Sequence, residues 1–377
     1  MQYKDLGYIY LGSNVGITAA VFFLPLLLTA RNISDLEIGY LAIFYSVALF
    51  FSNSIFGKLT DSRGRKPFLL LGLLSSSLTT FSYILPDTFF AFALVRFFNG
   101  ISLGMFPAAI LSIASDRGTP MGELSAWRAM GWTLGAFLNG LISDILNIEY
   151  AFILGGVLFF GAFIYAIVRD TGGVNYENKI KKVNNEDKPI PKYRLVIRTN
   201  WKIYLTVMIR HGAGASIWIY WSLFLAKDLG LSNSQIGVVL MINTISQVIV
   251  MRYFTDKGNS EKMFALGTFL SALAFFSFPL TSNFIEICIT QVLLGVSFAF
   301  FLVGGLRTAE VNGNKIGMVG TATGLFQASF SVSQLIGPLL AIIIYTRYET
   351  YTSIMNIAGL ITLGGTVLYL ILMKLKS

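Results

Sequence analysis

The stretch Gly57-Lys58-Leu59-Thr60-Asp61-Ser62-Arg63-Gly64-Arg65-Lys66-Pro67 lies between two apolar runs, 37–56 and 68–86. Basic side chains concentrated between two apolar helices mark a place where the chain leaves lipid, turns and re-enters it. Gly57 allows close helix approach and Gly64 permits a tight turn. Asp61, at a helix end, can face its basic neighbours and the positive N-terminus of another helix.

The runs on either side are two of a series. Apolar spans are expected at about 7–30, 37–56, 68–86, 89–114, 124–146, 150–168, 201–226, 234–254, 262–280, 284–308, 317–344 and 351–373, most near the roughly 20 residues that cross a bilayer. Composition agrees: 12% of the 377 residues are charged and 55% are hydrophobic, with 36 Gly and 32 Phe. A soluble domain carries roughly 25% charged residues, so the solvent here is lipid. Collagen, coiled coils and disordered chains are excluded. The single Cys288 and single His211 leave no disulfide, cysteine cluster or multi-histidine metal site to build within the chain. No cofactor is expected.

With the N-terminus in the cytoplasm, 23 of the 28 Lys and Arg fall on the cytoplasmic side. Arg31, Lys227 and Arg347 lie outside, and Arg96 and Arg210 fall within spans. This positive-inside bias places both termini in the cytoplasm and explains the net charge of +9 without nucleic acid. The first span has no small-residue cleavage site and is expected to stay as a helix.

Residues 170–200 form the one long polar stretch, with Pro189, Pro191 and mixed charges, and read as a linker between 1–169 and 201–377. The two halves repeat. Arg96-Phe-Phe-Asn-Gly100-Ile-Ser102 aligns with Gln291-Val-Leu-Leu-Gly295-Val-Ser297, and Gly57-Lys-Leu-Thr-Asp61 with Arg252-Tyr-Phe-Thr-Asp256. Ile38-Gly39 matches Ile236-Gly237 at a slightly larger offset. Such repeats mark secondary transporters, whose substrate site lies near the bilayer midplane.

The loop resembles the signature of the major facilitator superfamily, G-x-L-x-D-R-x-G-R-K/R. Gly57, Leu59, Asp61, Gly64, Arg65 and Lys66 are in place, Ser62 stands where the pattern has Arg, and Arg63 follows it. Asp256-Lys257-Gly258 is a weaker second copy. The resemblance covers the whole chain. It implies an all-α membrane protein of 12 transmembrane helices in two pseudo-symmetric six-helix bundles. It also implies that Asp61 contacts the start of the eleventh span, near 317–320, as a conformational latch. The gating set is then Gly57, Asp61, Arg63, Gly64, Arg65, Lys66 and Asp256.

Ionisable groups deep in a membrane are functional candidates by default. Arg96 lies well inside the fourth span with Asn99 on nearly the same face, and Arg96, Gly100 and Gly104 resemble the family's R-x-x-x-G-x-x-x-G motif. Arg210 and His211 sit near the middle of the seventh span, where a histidine can carry a proton. Trp218 and Trp221 nearby read either as cavity residues or as an outer-leaflet aromatic belt. Asn14, Asn139, Asn243 with Gln247, Gln291, and Gln327, Ser331 and Gln334 at helical spacing are costly against lipid and are expected to face a wet cavity or another helix. Gly131, Gly135 and Gly140 resemble an antiporter signature, but Ala136 replaces its Pro, and close helix packing explains these glycines better.

All 19 acidic residues lie in loops or near span ends. A cavity with arginines and amides but no carboxylate suits a neutral polar or anionic solute. No G-x-x-x-x-G-K-S/T phosphate loop is present, so an ion gradient is the expected energy source, with a proton carried by His211 or an end-of-span carboxylate. The expectation is a monomeric secondary transporter of the cytoplasmic membrane that moves a small organic solute by alternating access, taking the solute, a coupling ion and the bilayer as partners. Efflux by antiport, and a sensor that binds without transporting, are the rivals. An enzyme would need a nucleophile and base or a metal cluster, and one His, one Cys and no carboxylate deep in a span leave little to build it from.

Overall fold

The computed structural model describes residues 3–116, 121–169, 193–254 and 258–374, apart from the side chains at 3, 54, 58, 61–63, 108, 115, 116 and 121–123. These residues contain no strand and form twelve successive helices. Helix α1 comprises Tyr3–Thr18, a π turn at Ala19–Phe23, and Leu24–Ala30. Then come α2 (Asp35–Arg63), α3 (Lys66–Ser82), α4 (Phe89–Asp116), α5 (Met121–Ile145) and α6 (Ile148–Val168). The second set is α7 (Tyr193–Leu223, continued by a π turn at Phe224–Asp228), α8 (Asn233–Tyr253), α9 (Ser260–Ser277), α10 (Phe284–Lys315), α11 (Val319–Tyr348) and α12 (Tyr351–Lys374).

Nine helices among the described residues are long and apolar enough to cross a membrane. The other three are α3, which has 17 residues, and α5 and α7, which carry more polar side chains. Helix α7 contains Arg194, Arg198, Lys202 and Arg210, and buries Arg210, Ser216 and Trp221. A helix that turns polar groups into its own bundle need not match the apolarity of one bathed in lipid. Several helices also outrun their apolar spans. Helix α7 starts at Tyr193, inside the stretch read as linker, and α2 reaches Arg63, because backbone hydrogen bonding continues after side chains turn polar.

Local signals set the starts. Ser34 and Glu37 form a capping box on α2, and Asn259 and Asn283 accept backbone N–H groups at α9 and α10. Gly64, at φ +93°, ends α2 in a conformation that only glycine adopts readily.

The chain falls into two compact units, Met1–Pro189 with Ser232–Val238, and Ile190–Leu231 with Val239–Ser377. In the first, α1 packs on α5 and α6, and α4 packs on α2 and α3. In the second, α7 packs on α11 and α12, and α9 on α10 and α12. Each unit is internally tied by glycines at matching positions. A Cβ on Gly72 would come within 2.8 Å of the Phe106 backbone, and one on Gly267 within 2.2 Å of Phe301. A Cβ on Gly100 would come within 2.6 Å of the Tyr45 carbonyl, and one on Gly295 within 2.7 Å of the Asn243 carbonyl. Gly156 faces the Phe81 ring and Gly359 the Phe276 ring, and a Cβ on either would come within 2.8 Å of it. The sequence repeat is therefore also a repeat of helix crossings, since small residues let membrane helices approach to backbone contact.

The glycines of α5 act the same way. Gly131 and Gly135 face Leu11, Asn14, Val15 and Thr18 of α1. Gly140 faces Asn233, whose N–H donates to Asp144 at 2.9 Å; Ser234 N–H donates to the same carboxylate at 2.8 Å. At the opposite end of α1, Arg31 pairs with Asp87 and Glu149 and donates to the Ile84 carbonyl, tying three chain segments of the first unit together. These partners hold the guanidinium's pKa above its ordinary value, Glu149 contributing most.

Candidate functional site

The best-defined polar centre of the first unit starts from Pro25. In the π register of Ala19–Phe23, N–H groups reach back five residues, so the carbonyl of Ala20 would pair with the N–H of residue 25. Proline has none. The orphaned carbonyl is taken by Arg96 of α4, whose Nη1 donates to Ala20 at 3.0 Å and to the Tyr83 hydroxyl at 3.3 Å. The same guanidinium lies 4.0 Å from the centre of the Tyr45 ring, a cation–π distance. Gly100, one turn along, presses α4 onto α2 and so brings Arg96 over Tyr45.

Arg96 is 8% exposed, and among the described residues no carboxylate contacts it. Its Nε has no hydrogen-bond partner. A buried cation held by two neutral acceptors and an aromatic face keeps donor capacity and net charge for something else. Asn99 donates to Thr79 Oγ1 at 3.1 Å while its Oδ1 has no partner. Elsewhere in this unit, Asn14 donates to the Tyr10 carbonyl and accepts from Trp132 Nε1 at 2.7 Å. Asn139 bridges to Thr18 and the Val15 carbonyl; it braces α5 on α1.

In the second unit, Arg210 and His211 turn to different neighbours, as consecutive helical residues must. Arg210 is 3% exposed. Its Nε donates to Ser271 Oγ at 2.9 Å, and its guanidinium lies 4.7, 5.2 and 5.6 Å from the rings of Phe301, Phe298 and Phe275. Half-buried His211 meets the edge of Phe330 on α11 at 4.7 Å. Trp221 is fully buried against Phe224 and Phe278, with Trp218 edge-on, and so is no outer belt residue.

Asn243, Gln247 and Gln291 come together. Gln247 donates to Asn243 Oδ1 at 2.6 Å, and Asn243 donates to the backbone carbonyl of Gln291 at 3.4 Å. Gln291 occupies the repeat position of Arg96, is fully buried, and leaves both side-chain polar atoms unpartnered. Gln327 and Gln334 are exposed along α11, with Ser331 half-buried between them.

Of the loop residues, Gly57 has open space beside it, Arg65 donates to the Ser112 carbonyl and Lys66 opens α3. The side chains of Asp61 and Arg63, and the whole of Asp256, lie outside the described residues. Tyr45, Tyr83, Pro25 and Trp132 escaped the sequence reading. Only Pro25, a helix breaker inside an apolar span, carried a readable signal.

The sequence profile of the Major Facilitator Superfamily matches residues 6–214 and 203–377. The Quinolone resistance protein NorA of Staphylococcus aureus (strain MRSA252) is 24% identical over 393 residues, covering 98% of this chain and 95% of that protein. An uncharacterized MFS-type transporter, MJ1560 of Methanocaldococcus jannaschii, is 25% identical over 81% of each chain. The crystal structure of the nucleoside transporter NupG superimposes with a TM-score of 0.79 at 14% identity, covering 99% of this chain and all of the other. Helices, repeat and profile agree: the chain is a multi-pass membrane transporter belonging to the major facilitator superfamily.

Proposed function

We propose that this transporter is a secondary active carrier of a small amphipathic organic solute, neutral polar or anionic, driven by a proton gradient across the cell membrane. The observation that carries the reading is Arg96: a buried cation with no carboxylate in contact among the described residues, an unpartnered Nε, and Tyr45 and Tyr83 beside it. A carboxylate or phosphate on an aromatic body satisfies all three, through a charge-assisted hydrogen bond and ring contact. No acidic residue lies mid-helix among the described residues, which speaks against a lipophilic cation. In the second unit, buried Gln291 and exposed Gln327 and Gln334 are neutral donors and acceptors proposed to contact solute. His211 is the proposed proton carrier, and Asp61 with its basic loop the proposed latch for alternating access, in a monomer with both termini cytoplasmic.

Similarity to the Quinolone resistance protein NorA supports export as the direction. Quinolone antibiotics are aromatic carboxylic acids, so this second reading uses the same arginine. The test is transport in proteoliposomes under an imposed pH gradient, across organic anions, nucleosides and quinolones. Arg96→Ala is expected to abolish accumulation of anionic substrates while the protein stays folded. Unchanged transport and affinity in that variant would remove Arg96 from the site, and binding of lipophilic cations alone would defeat the charge argument.

A further inference from the structure

A separate small cavity of about 30 Å³ lies entirely within the second unit, between the first turns of α7 and α9 and the last turns of α10 and α12. It is lined by Lys202, Glu261, Asn312, Thr199 and Tyr369, with Ile203 and Met373 as apolar walls. Two of these groups carry opposite charge, yet neither forms an ion pair with the other or with any described residue. Each charge therefore keeps hydrogen-bonding capacity for a ligand that brings the opposite sign to it.

The free valences sort by sign. Lys202 Nζ spends one donor on the Leu372 carbonyl, which leaves two. The Glu261 carboxylate accepts no hydrogen bond from any described residue. Asn312 donates to Asn200 Oδ1 at 3.1 Å, which turns its own Oδ1 toward acceptor work. Thr199 donates to the Leu195 carbonyl and keeps its lone pairs. Glu261, Asn312 and Thr199 thus offer acceptors for an ammonium, and Lys202 with the Tyr369 hydroxyl offers donors for an anion.

We propose that this cavity binds a zwitterion in which a primary ammonium is joined to an anionic group by a short linker, as in ethanolamine phosphate. A water-sized group needs roughly 10–15 Å³ of such volume, so the cavity has room for two or three: the ammonium and its methylenes, with the anion held by Lys202. A trimethylammonium is too bulky and has no N–H to give. The position at helix ends, with exposed Tyr193 and Trp201 on α7, is where aromatic side chains meet lipid headgroups. The ligand chemistry fits phosphatidylethanolamine or a soluble phosphoethanolamine.

The full chain is placed in nanodiscs with equal phosphatidylethanolamine and phosphatidylcholine in a phosphatidylglycerol background, and retained lipid is counted by native mass spectrometry. In parallel, lipid-free protein in detergent is titrated with phosphoethanolamine and its melting temperature followed. Retention of the ethanolamine lipid roughly tenfold above the choline lipid, the worth of one charge-assisted hydrogen bond, is expected if the headgroup is the source. A saturable rise in melting temperature with phosphoethanolamine assigns a soluble source. In either arm Glu261→Gln and Lys202→Met are expected to remove the effect, while Glu261→Asp keeps it, with folding checked by each variant's own melting curve. Equal retention of both lipids together with no response to phosphoethanolamine, or an undiminished effect in Glu261→Gln, overturns the proposal.

Discussion

Arg96 on α4 donates to the backbone carbonyl of Ala20 on α1, 76 residues away, at 3.0 Å. The carbonyl is free because α1 is in a π register and residue 25 is proline. A helix irregularity and a buried charge are therefore one device, and each can be tested through the other.

Pro25→Ala returns an N–H to residue 25. In the same π register that N–H pairs with the Ala20 carbonyl, and Arg96 loses an acceptor. A hydrogen bond to a charged group is worth about 1.5–3 kcal/mol, so the specificity ratio for transport of anionic solutes should fall by roughly tenfold or more. Initial-rate measurements at several substrate concentrations check this, with melting temperature as the folding control.

Gln291→Leu should move stability and transport in opposite directions. The side chain is fully buried with neither polar atom partnered, a penalty of about 1–3 kcal/mol. Leucine removes the penalty, and the melting temperature is expected to rise by a few degrees. Transport of any solute that uses the amide should fall.

Glycines at the helix crossings separate from those facing open space. A Cβ at Gly72 or Gly267 would meet neighbouring backbone, so alanine at either is expected to cost about 1–3 kcal/mol. Gly161 and Gly364 lie in helices with nothing within 4 Å of an added Cβ. Alanine there should stabilise by up to about 1 kcal/mol. Thermal unfolding of the four single variants in one detergent is the comparison.

The Arg31 clasp should be insensitive to pH in the working range. Its partners raise the arginine's pKa above the ordinary value, so the stabilisation is present below the unfolded-state pKa and is lost only as pH rises through the still higher folded-state value. Melting temperatures of wild type and Arg31→Ala are expected to differ by the same small amount at pH 6 and pH 9. The difference should shrink in high salt, as for other exposed pairs.

Much of the fold was legible in the residues. Charge scarcity named the solvent, spacing gave the helices, and Gly100 and Gly295 aligned by sequence before they proved to make matching crossings. The glycines of α5, read as packing residues, do pack. Trp221 was less legible: an outer aromatic belt and the centre of a bundle are both apolar, and α7 hides this tryptophan among Phe224 and Phe278. Arg210 and His211 could be placed mid-helix, but not the three phenylalanines around one or the single ring beside the other.

The order of residues alone settles that this chain lives in lipid as a duplicated set of helices with cations and amides, and no carboxylates, in their middle stretches. It does so because charge, apolar length and glycine spacing are local properties. Which face of each helix turns inward, and which carbonyl Arg96 finds, belong to the tertiary structure. In a membrane the bundle interior and its surroundings are equally apolar, so burial leaves little trace in composition, and a bond across 76 residues depends on how α1 winds around Pro25.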